Sequence, residues 1–370
     1  MALSYWEYKS WLSNIDFTIV GSGIVGLNCA LQLRKRYPNA KILILERGTF
    51  PQGASTKNAG FACFGSISEV LADLEIHSEE EMVSLVKRRW EGIQLLRQTI
   101  GDSLLHFQQL GGHEIFHQKD SALYEKCASK LAEINALLHP IFGGNPYAMT
   151  ENKFGFASIA PKYISHRYEG QIDTGEMMNA LLQKTQKAGI TILNSVEVTH
   201  FQETGNNVSV KTEKFEFTTQ RLYLAINGFA KQLLKEEVRP ARAQVLLTKP
   251  INGLLIRGTF HLDRGYYYFR NINGRILLGG GRNLDLRGEE TPMFGHTQLI
   301  QGKLEELLSN VILPNHTFEI AQRWSGIMGV GPQKSPIVKA SSDRIFYGIR
   351  LGGMGIALGS LVGRELAELA

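Results

Sequence analysis

The 370-residue chain has little cysteine, no long apolar segment and no large excess of charge of either sign. Its cysteines, Cys29, Cys63 and Cys127, form neither a paired framework nor a metal-type spacing, which predicts a reducing compartment and, by default, the cytoplasm. No apolar run approaches the roughly 20 residues needed to cross a bilayer. Residues 1–14 lack the basic start and apolar stretch of a signal peptide. We therefore expect a soluble globular protein without a membrane span.

Charge gives little indication of a nucleic-acid partner. The net charge of +5 comes from 40 basic and 35 acidic residues, and the densest basic clusters, residues 34–36 and 87–89, fall within predicted helices. Solvated helix faces explain such clusters, and a dedicated nucleic-acid binder would show a larger excess with interleaved aromatics. A mildly basic surface instead favours a small anionic substrate.

A strand, a glycine turn and a helix follow one another near the N-terminus. Residues 16–20 are typical of a short buried strand, and Gly21-Ser22-Gly23-Ile24-Val25-Gly26 follows at once and leads into an apolar helical run. The first glycine makes the tight turn, the second lets the backbone approach a pyrophosphate, and the third allows close packing of helix on strand. Free N–H groups and the positive dipole end of the helix would then face the phosphates.

An acidic residue ends the second predicted strand. This strand, residues 41–45, is followed by Glu46, placed to accept hydrogen bonds from the ribose hydroxyls of an adenosine. Its negative charge argues against NADP. Together, the two strands, the glycine turn and Glu46 predict a dinucleotide-binding α/β unit.

From Gly53-Ala54-Ser55-Thr56-Lys57-Asn58-Ala59-Gly60 onward the chain resembles the D-amino-acid oxidase family of flavoproteins, which includes glycine oxidase and sarcosine oxidase. Three further segments carry the resemblance: Glu169 to Asp173 before a helix and a strand at 190–193, Arg221 to Gly228, and Phe346 to Ala357. The resemblance covers almost the whole chain. It implies an FAD-dependent oxidoreductase in which the Gly-Ala-Ser segment at 53–55 opens a helix that passes the FAD pyrophosphate.

The predicted cofactor contacts combine the motif and the resemblance. A closing glycine turn with a helix N-terminus near the flavin pyrimidine would stabilise the negative charge of reduced flavin. The contacts are Gly21, Ser22, Gly23, Ile24, Val25, Gly26, Glu46, Arg47, Ser55, Thr56, Lys57, Asn58, Ala59, Gly60, Val198, Asn227, Gly228, Gly326, Gly352, Gly353, Met354, Gly355 and Ile356.

The resemblance also predicts the domain organisation. We expect an α/β fold in which a Rossmann-type FAD-binding domain (residues 1–85, 155–235 and 325–370) is interleaved with an antiparallel-sheet substrate domain (86–154 and 236–324). The second insertion contains a predicted hairpin, with strands at 266–270 and 275–281 and a turn at Asn273-Gly274. Alternation along the strand places Tyr266 and Tyr268 on one face, with Tyr267 and Phe269 on the other.

The chain departs from the family where the substrate is held. Residues 324–328, Trp-Ser-Gly-Ile-Met, resemble a family segment in which glycine oxidase has the arginine that clamps the substrate carboxylate, and Met328 stands in that place. Arg270 and Arg282 are the nearest replacements, since a guanidinium suits carboxylate recognition. The C-terminal cysteine through which sarcosine oxidases attach their flavin is absent, so we expect FAD bound without a covalent link. Leu277 occupies the position of their oxygen-activating lysine.

A zinc-type motif competes with this interpretation. Residues 113–117, His-Glu-Ile-Phe-His, match H-E-x-x-H, which on a helix binds zinc through both histidines. Gly111-Gly112 before it and the Ile-Phe pair within it favour a strand, in which the histidine Cα atoms lie about 13 Å apart, beyond one zinc. We predict no metal site.

The predicted reaction is oxidation of the C–N bond of an anionic amine or amino acid by hydride transfer to flavin N5. Tyr266, Tyr268, Arg270, Arg282 and Met328 are the predicted residues around the substrate. Two alternatives stay open: a dehydrogenase of 2-hydroxy acids or glycerol phosphate, which would need a side-chain base such as histidine near the flavin, and a non-catalytic flavoprotein that acts in assembly or binding.

Overall fold

A computed structural model describes residues 3–369, which form two eight-stranded sheets, a two-stranded one and the helices around them. The helices are α1 (Tyr5–Glu7), α2 (Ile24–Arg36), α3 (Ile67–Leu74), α4 (Glu79–Ile100), α5 (Asp102–Leu105), α6 (Ser121–Phe142), α7 (Thr174–Lys187), α8 (Gln298–Leu307) and α9 (Gly355–Glu368). The strands are β1 (Ile15–Val20), β2 (Ile42–Leu45), β3 (Phe61–Ala62), β4 (Gly112–Glu114), β5 (Tyr147–Glu151), β6 (Lys162–His166), β7 (Gly170–Gln171), β8 (Thr191–Leu193), β9 (Val198–Thr204), β10 (Asn207–Thr212), β11 (Glu216–Leu224), β12 (Arg239–Thr248), β13 (Thr259–Leu262), β14 (Tyr267–Ile272), β15 (Arg275–Gly280), β16 (Ile320–Val330), β17 (Ile337–Ala340) and β18 (Ile345–Ile349).

The first sheet has a parallel centre in the order β18-β11-β1-β2-β8. The antiparallel strand β17 lies beside β18, and the hairpin β9–β10 pairs with β11. Each of β1 and β2 is buried on both sides, as expected of strands that helices cover on two faces. The parallel centre confirms the Rossmann-type part of the predicted fold class.

The turn from β1 to α2 requires its glycines. Gly21 has φ +102°, a region that L side chains rarely adopt. A Cβ on Gly26 would lie 2.0 Å from the carbonyl oxygen of Gly21, so only glycine lets the helix pack this closely on the turn. Both tasks match those that the motif predicts.

The second sheet has the order β16-β12-β15-β14-β13-β4-β6-β5 and is mostly antiparallel. The hairpin β14–β15 turns at Asn273 and Gly274, with φ of +50° and +71°, so the predicted hairpin and its turn are confirmed. Helix α8 packs on one face of this sheet and closes an aromatic core that contains Phe260, Phe269 and Tyr163. The other face is turned toward the first sheet, through contacts of Ala59 and Phe61 with Leu277 and Tyr268.

Three of the predicted domain boundaries do not coincide with the sheets. The boundary at residue 86 cuts α4, whose Leu96 and Ile100 pack into the core of the first sheet beside α2 and α9. Strand β6 lies in the second sheet although residues 155–235 were assigned to the FAD-binding part, because it pairs with β4 and β5. Strand β16 runs through the boundary at 325 as one continuous strand. The rest of the division into domains stays a prediction.

Within residues 3–369, no helix combines the length and the apolar character that a membrane crossing requires.

Candidate active site

One cavity of about 710 Å³ lies between the two sheets. Its walls on the side of the first sheet come from the β1–α2 turn, the ends of β2 and β11, residues 196–198 and the turn before α9. On the other side they come from β13, β14 and β16 and the loops that join them. The cavity therefore follows the carboxyl edge of the parallel strands, where α/β proteins bind their ligands.

The N-terminus of α2 opens into this cavity. Its backbone N–H at Ile24 donates to the Oγ of Ser55 at 2.9 Å, and a Cβ on Gly23 would lie 2.9 Å from the same oxygen. Gly23 itself lines the cavity and provides no side-chain cap to the helix. The positive end of the helix dipole is thus accessible to a phosphate, with a serine hydroxyl beside it.

Glu46 is buried at the end of β2 and holds the glycine turn. One carboxylate oxygen accepts the N–H and the hydroxyl of Ser22, at 3.1 and 2.8 Å, and the other accepts the N–H of Gly48 at 3.0 Å. Glu46 lines the cavity, whereas Ser22 is fully buried behind it. The carboxylate retains lone-pair capacity for a ribose hydroxyl in the position that the sequence predicts.

The segment after β2 is a short 3-10 turn, Ala54–Thr56, in place of the helix that the resemblance implies. Thr56 donates its hydroxyl to the carbonyls of Pro51 and Gly53, and the Asn58 amide bonds the carbonyls of Ala54 and Ser55. These side-chain bonds to the backbone offer the chain an alternative to a helix, which explains the difference.

The N-terminus of α9 forms the opposite wall. Its first residues, Gly355 and Ile356, line the cavity, and the preceding Met354 provides no side-chain cap. Asn227 accepts the N–H of Leu351 at 3.1 Å and so ties this turn to the end of β11. The free N–H groups of a 14-residue helix are therefore directed into the cavity.

Most of the predicted cofactor contacts come together in this cavity. Four of them do not line it: Ser22 and Gly26, which shape the glycine turn, and Thr56 and Gly60, which shape the following segment. Those that line it are Gly21, Gly23, Ile24, Val25, Glu46, Arg47, Ser55, Lys57, Asn58, Ala59, Val198, Asn227, Gly228, Gly326, Gly352, Gly353, Met354, Gly355 and Ile356.

These residues fit FAD. A Cβ on Gly21 would lie 2.7 Å from the carbonyl oxygen of Ala225, so the turn is closed to any larger residue. Two helix N-termini, one at each end of this row of residues, suit a pyrophosphate and an anionic reduced flavin. Glu46, which accepts the N–H of Ser22 in the turn before the first of these helices, suits the adenosine ribose.

Aromatic side chains line the cavity on the side of the second sheet. Tyr266 and Tyr268 face it, while Tyr267 and Phe269 are buried in the aromatic core on the other face of the sheet. The ring of Phe61 meets that of Tyr268 edge to face, with centroids 5.7 Å apart. The structure thus assigns the Tyr266 and Tyr268 face to the cavity, which the alternation alone leaves open.

Cationic side chains line the same cavity as these tyrosines, together with the carboxylate of Glu69, but Arg270 is not one of them. Arg282 lines the cavity as predicted, and Arg264, Arg89 and Lys334 join it there. Lys334 pairs with Asp73, and Arg89 donates to the carbonyl of Phe64 at 2.7 Å. Met328 lines the cavity with no charge of its own.

Arg270 is a correction to the predicted substrate contacts. Its side chain is 3% exposed and lines a separate cavity of about 500 Å³ beside Asp173 and Asn271. Burial lowers the pKa of Arg270 to about 10, although the charge of Asp173 opposes the shift. Arg270 is not among the residues that line the main cavity.

Sequence reasoning missed a buried cluster of three polar side chains in the cavity wall. Cys63, Glu169 and His261 bring one sulfur, one carboxylate oxygen and one ring nitrogen within 4.8 Å of one another. Cys63 and His261 line the cavity, and all three side chains are buried. Glu169 belongs to a segment that carries the resemblance, yet no local pattern indicates that it meets a histidine from β13.

The H-E-x-x-H motif begins in a strand and contains no helix, as the flanking residues predict. His113 and Glu114 belong to β4, and His117 follows it. The His113 ring bonds the Ser165 hydroxyl at 2.7 Å, and Glu114 bonds Ser68, so both have structural partners. Neither histidine belongs to a potential metal-binding group among residues 3–369.

Several known proteins are similar to this chain over most of its length. A probable oxidoreductase, OrdL, from Haemophilus influenzae is 22% identical over 376 residues, which cover 96% of this chain and 83% of the relative. The crystal structure of glycine oxidase from Geobacillus kaustophilus superposes with a TM-score of 0.76 at 20% identity, over 96% of this chain and 94% of that one. That of L-proline dehydrogenase from P. horikoshii gives 0.74 at 18%, over 96% and 93%. The structural likenesses establish a shared fold.

The match to a whole family extends over a similar part of the chain. Residues 16–369 match the family described as FAD dependent oxidoreductase (DAO), which takes in the glycine turn of α2, Glu46 and the N-terminus of α9. The chain therefore belongs to the DAO family of FAD-dependent oxidoreductases.

Proposed function

We propose that the protein oxidises the C–N bond of an anionic amine or amino acid. The observation that carries the proposal is the continuity of the cavity from the FAD-binding turns to a wall of tyrosines and cationic side chains. Similarity to a glycine oxidase and an L-proline dehydrogenase supports the substrate class.

The bound flavin would supply the redox chemistry, by accepting a hydride at N5. The protein's part is to bind, to orient and to exclude water. Tyr268 and Phe61 form an apolar, edge-to-face pair against which a substrate carbon can rest. Such positioning contributes to the rate without a covalent step.

Arg282 is our candidate for the anchor of the substrate carboxylate. It lines the cavity, as do Tyr266 and Gly280, and follows directly after the end of β15. A planar guanidinium binds a carboxylate through two parallel hydrogen bonds. Arg264 lies in the same wall and adds positive charge there. Because Met328 on β16 has no charge, the proposed anchor of the carboxylate lies in the loop after β15 instead of on β16.

Oxidation of a 2-hydroxy acid is the second candidate function, because His261 supplies the side-chain base that such a reaction needs. The ring lines the cavity and is in register with Tyr268 on the neighbouring strand. Anionic substrates of both classes would use the same positive charges.

Anaerobic reduction of the bound flavin tests the proposal. The holoenzyme is mixed with a panel of amino acids, secondary amines and 2-hydroxy acids, and the loss of the flavin absorbance near 450 nm is followed. We expect bleaching by an amine or amino acid that carries a carboxylate. Bleaching by 2-hydroxy acids alone would establish the second candidate, and a flavin that no compound reduces while dithionite reduces it would support a non-catalytic role.

A further inference from the structure

A histidine and a carboxylate form a buried pair in the cavity wall. Nε2 of His261 and Oε2 of Glu169 are 3.6 Å apart, and their side chains are 7% and 1% exposed. The other oxygen of Glu169 accepts the N–H of Phe64 at 2.9 Å, which fixes the carboxylate. A charged carboxylate at this depth is costly unless a positive group compensates it, so Glu169 favours the protonated state of His261.

The ring of His261 has one nitrogen free for a substrate. Nε2 is enclosed and lies 3.6 Å from Oε2 of Glu169, an ion-pair distance without a hydrogen bond among residues 3–369, while the ring as a whole lines the cavity. Within residues 3–369, Nδ1 has no hydrogen-bond partner. Phe61 lies perpendicular to the ring at 5.4 Å between centroids and limits its rotation. A substrate in the cavity therefore meets Nδ1.

The pair lies beside the residues that contact the flavin. Cys63 belongs to the same buried group, and its Sγ lies 3.6 Å from the Sδ of Met354. Met354 is the residue immediately before α9, whose N-terminus faces the cavity. Only one side chain thus separates His261 from the turn that we assign to the flavin.

We propose that His261 accepts the proton that leaves the substrate nitrogen, and that Glu169 is the residue that positions and tunes it. The inference rests on the proposed function. In this step an N–H bond of the substrate ammonium breaks, the proton moves to Nδ1, and the electron pair remains on the nitrogen. The neutral amine could then give up its α-hydrogen as hydride, for which a bound flavin would be the two-electron acceptor, and water would hydrolyse the imine product.

The surroundings of His261 set the direction of its pH dependence. Burial alone would lower the pKa of His261, but the Glu169 carboxylate, with Glu69 and Glu114, raises it above the ordinary value. Reciprocally, although burial acts to raise the pKa of Glu169, His261 and His166 hold it below the ordinary value. His261 is a base only above its own pKa, so flavin reduction should become faster as the pH rises. The titratable groups that face His261 are Glu69, Cys63, His113, Glu114, His166 and Glu169.

The test compares the limiting rate of anaerobic flavin reduction against pH in the parent and in Glu169→Gln, with a substrate that bleaches the parent. Loss of the carboxylate should move the rising limb to lower pH by about one unit or more, since an opposite charge at this distance shifts a pKa by about 1–3 units. The plateau should fall at the same time, because a weaker base accepts the proton less readily. The ammonium pKa of the free substrate is the same for both proteins, so the difference between them reports on His261.

Two further variants separate this role from a structural one. In His261→Gln, the rising limb that we assign to His261 should be absent from the curve of rate against pH. The plateau of the rate should be lower by about 10²- to 10⁴-fold, the usual contribution of a general base. Glu114→Gln is the matched control: it removes another buried carboxylate, one that bonds Ser68 instead of His261. Burial raises the pKa of Glu114 to about 7, so its loss should move the limb less than the loss of Glu169.

A measurement that needs no turnover gives an independent answer. Ring ¹⁵N chemical shifts of the substrate-free holoenzyme, with the His261 signal identified by its absence in His261→Gln, should titrate at lower pH in Glu169→Gln than in the parent. The proposal would be overturned if the pH profiles of flavin reduction in the parent and in Glu169→Gln were superimposable, or if the ¹⁵N titration of His261 were the same in both. It would also be overturned if the purified protein contained a stoichiometric transition metal bound by Cys63 and His261. Failure of every amine to bleach the parent flavin would instead refute the proposed function, and the ¹⁵N titration would still report on the pair.

Discussion

Arg270 lies against Gly60, with its Nη1 atom 3.4 Å from the glycine carbonyl oxygen. The same carbonyl accepts the N–H of Ile172 at 2.9 Å, so the guanidinium packs at the junction of the Ala59–Gly60 segment and the start of α7. Its Nε atom is buried and has no hydrogen-bond partner among residues 3–369. The Arg270 guanidinium thus supports the backbone of the Ala59–Gly60 segment, which leads to the proposed flavin site. It lines a different cavity from the one that would hold the substrate.

We therefore expect Arg270→Met to leave substrate binding largely unchanged. Methionine keeps much of the length and the packing volume and removes the charge. The half-saturation concentration for flavin reduction should change by less than about 3-fold, because the side chain does not contact the substrate. Thermal unfolding and FAD retention, measured on the same samples, should report its effect on the Gly60 segment. A loss of substrate affinity comparable to that of an anchor would place Arg270 back in the substrate site.

Replacement of Glu46 by Gln should weaken FAD binding. It removes a charged acceptor at the predicted ribose position, for which a charge-assisted hydrogen bond is worth about 1.5–3 kcal/mol, or roughly a 10- to 100-fold rise in the Kd of FAD. The control is Ser22→Ala, which deletes the 2.8 Å bond to Glu46 from behind without touching the cavity. We expect it to have the smaller effect in fluorescence titrations of the apoprotein. Equal losses in both variants would mean that Glu46 acts through the turn alone.

Two glycines in helices should respond to alanine in opposite ways. A Cβ at Gly26 would lie 2.0 Å from the Gly21 carbonyl oxygen, whereas at Gly302 in α8 the nearest atom would be 3.9 Å away. Gly26→Ala should thus abolish FAD retention or folding, and Gly302→Ala should raise the free energy of unfolding by up to about 1 kcal/mol through helix propensity. Yield, flavin content and thermal denaturation of the two variants test the contrast. A Gly26→Ala protein with full flavin content would refute the packing argument.

Much of the fold could be predicted because its signals are local. The buried run that ends at Val20, the glycines of the turn and the Asn273-Gly274 hairpin each depend on neighbours in sequence, and the structure contains all three. The sheet that β6 joins could not be predicted in this way. Its partners β4 and β5 are chosen by tertiary packing, on which the composition of residues 162–166 carries no information.

The residues of the candidate site also fall into those that local sequence predicts and those that it does not. Backbone-determined positions such as Gly23 and Gly355 line the cavity as the motifs predict. Arg270 was misplaced because alternation along β14 gives the face of a side chain but not what covers that face. His261 and Glu169 were missed because they come from distant segments, and each has the ordinary appearance of a residue in its own element. Only the crossing of β13 with the segment after β6 brings them together.

The FAD should be released when the protein is denatured. Within residues 3–369 the cysteines are buried and free, and burial, with the charges of Glu169 and Glu69, raises the pKa of the Cys63 thiol well above its ordinary value. A neutral thiol is a poor nucleophile toward a flavin ring. Acid precipitation should therefore leave a colourless pellet and a yellow supernatant, in Cys63→Ala as in the parent. Flavin retained in the parent pellet but not in that of Cys63→Ala would reveal a covalent bond to this cysteine.

Arg282 should determine the affinity for an anionic substrate. Truncation to Ala removes a charge-assisted bidentate contact, so kcat/KM should fall by about 10²- to 10³-fold while the FAD content stays the same. Lysine at this position should restore only part of the loss, because an ammonium replaces the charge but not the fork of donors. Arg287→Ala is the matched control, since this exposed arginine lies in the same loop and does not line the cavity. The loss in Arg282→Ala should also be larger for a carboxylate substrate than for its uncharged amide, as a contact to the carboxylate requires. Equal losses for the two substrates, or an effect in Arg287→Ala as large as that in Arg282→Ala, would assign the anchor to another residue, and Arg264 in the same wall would be the next to test.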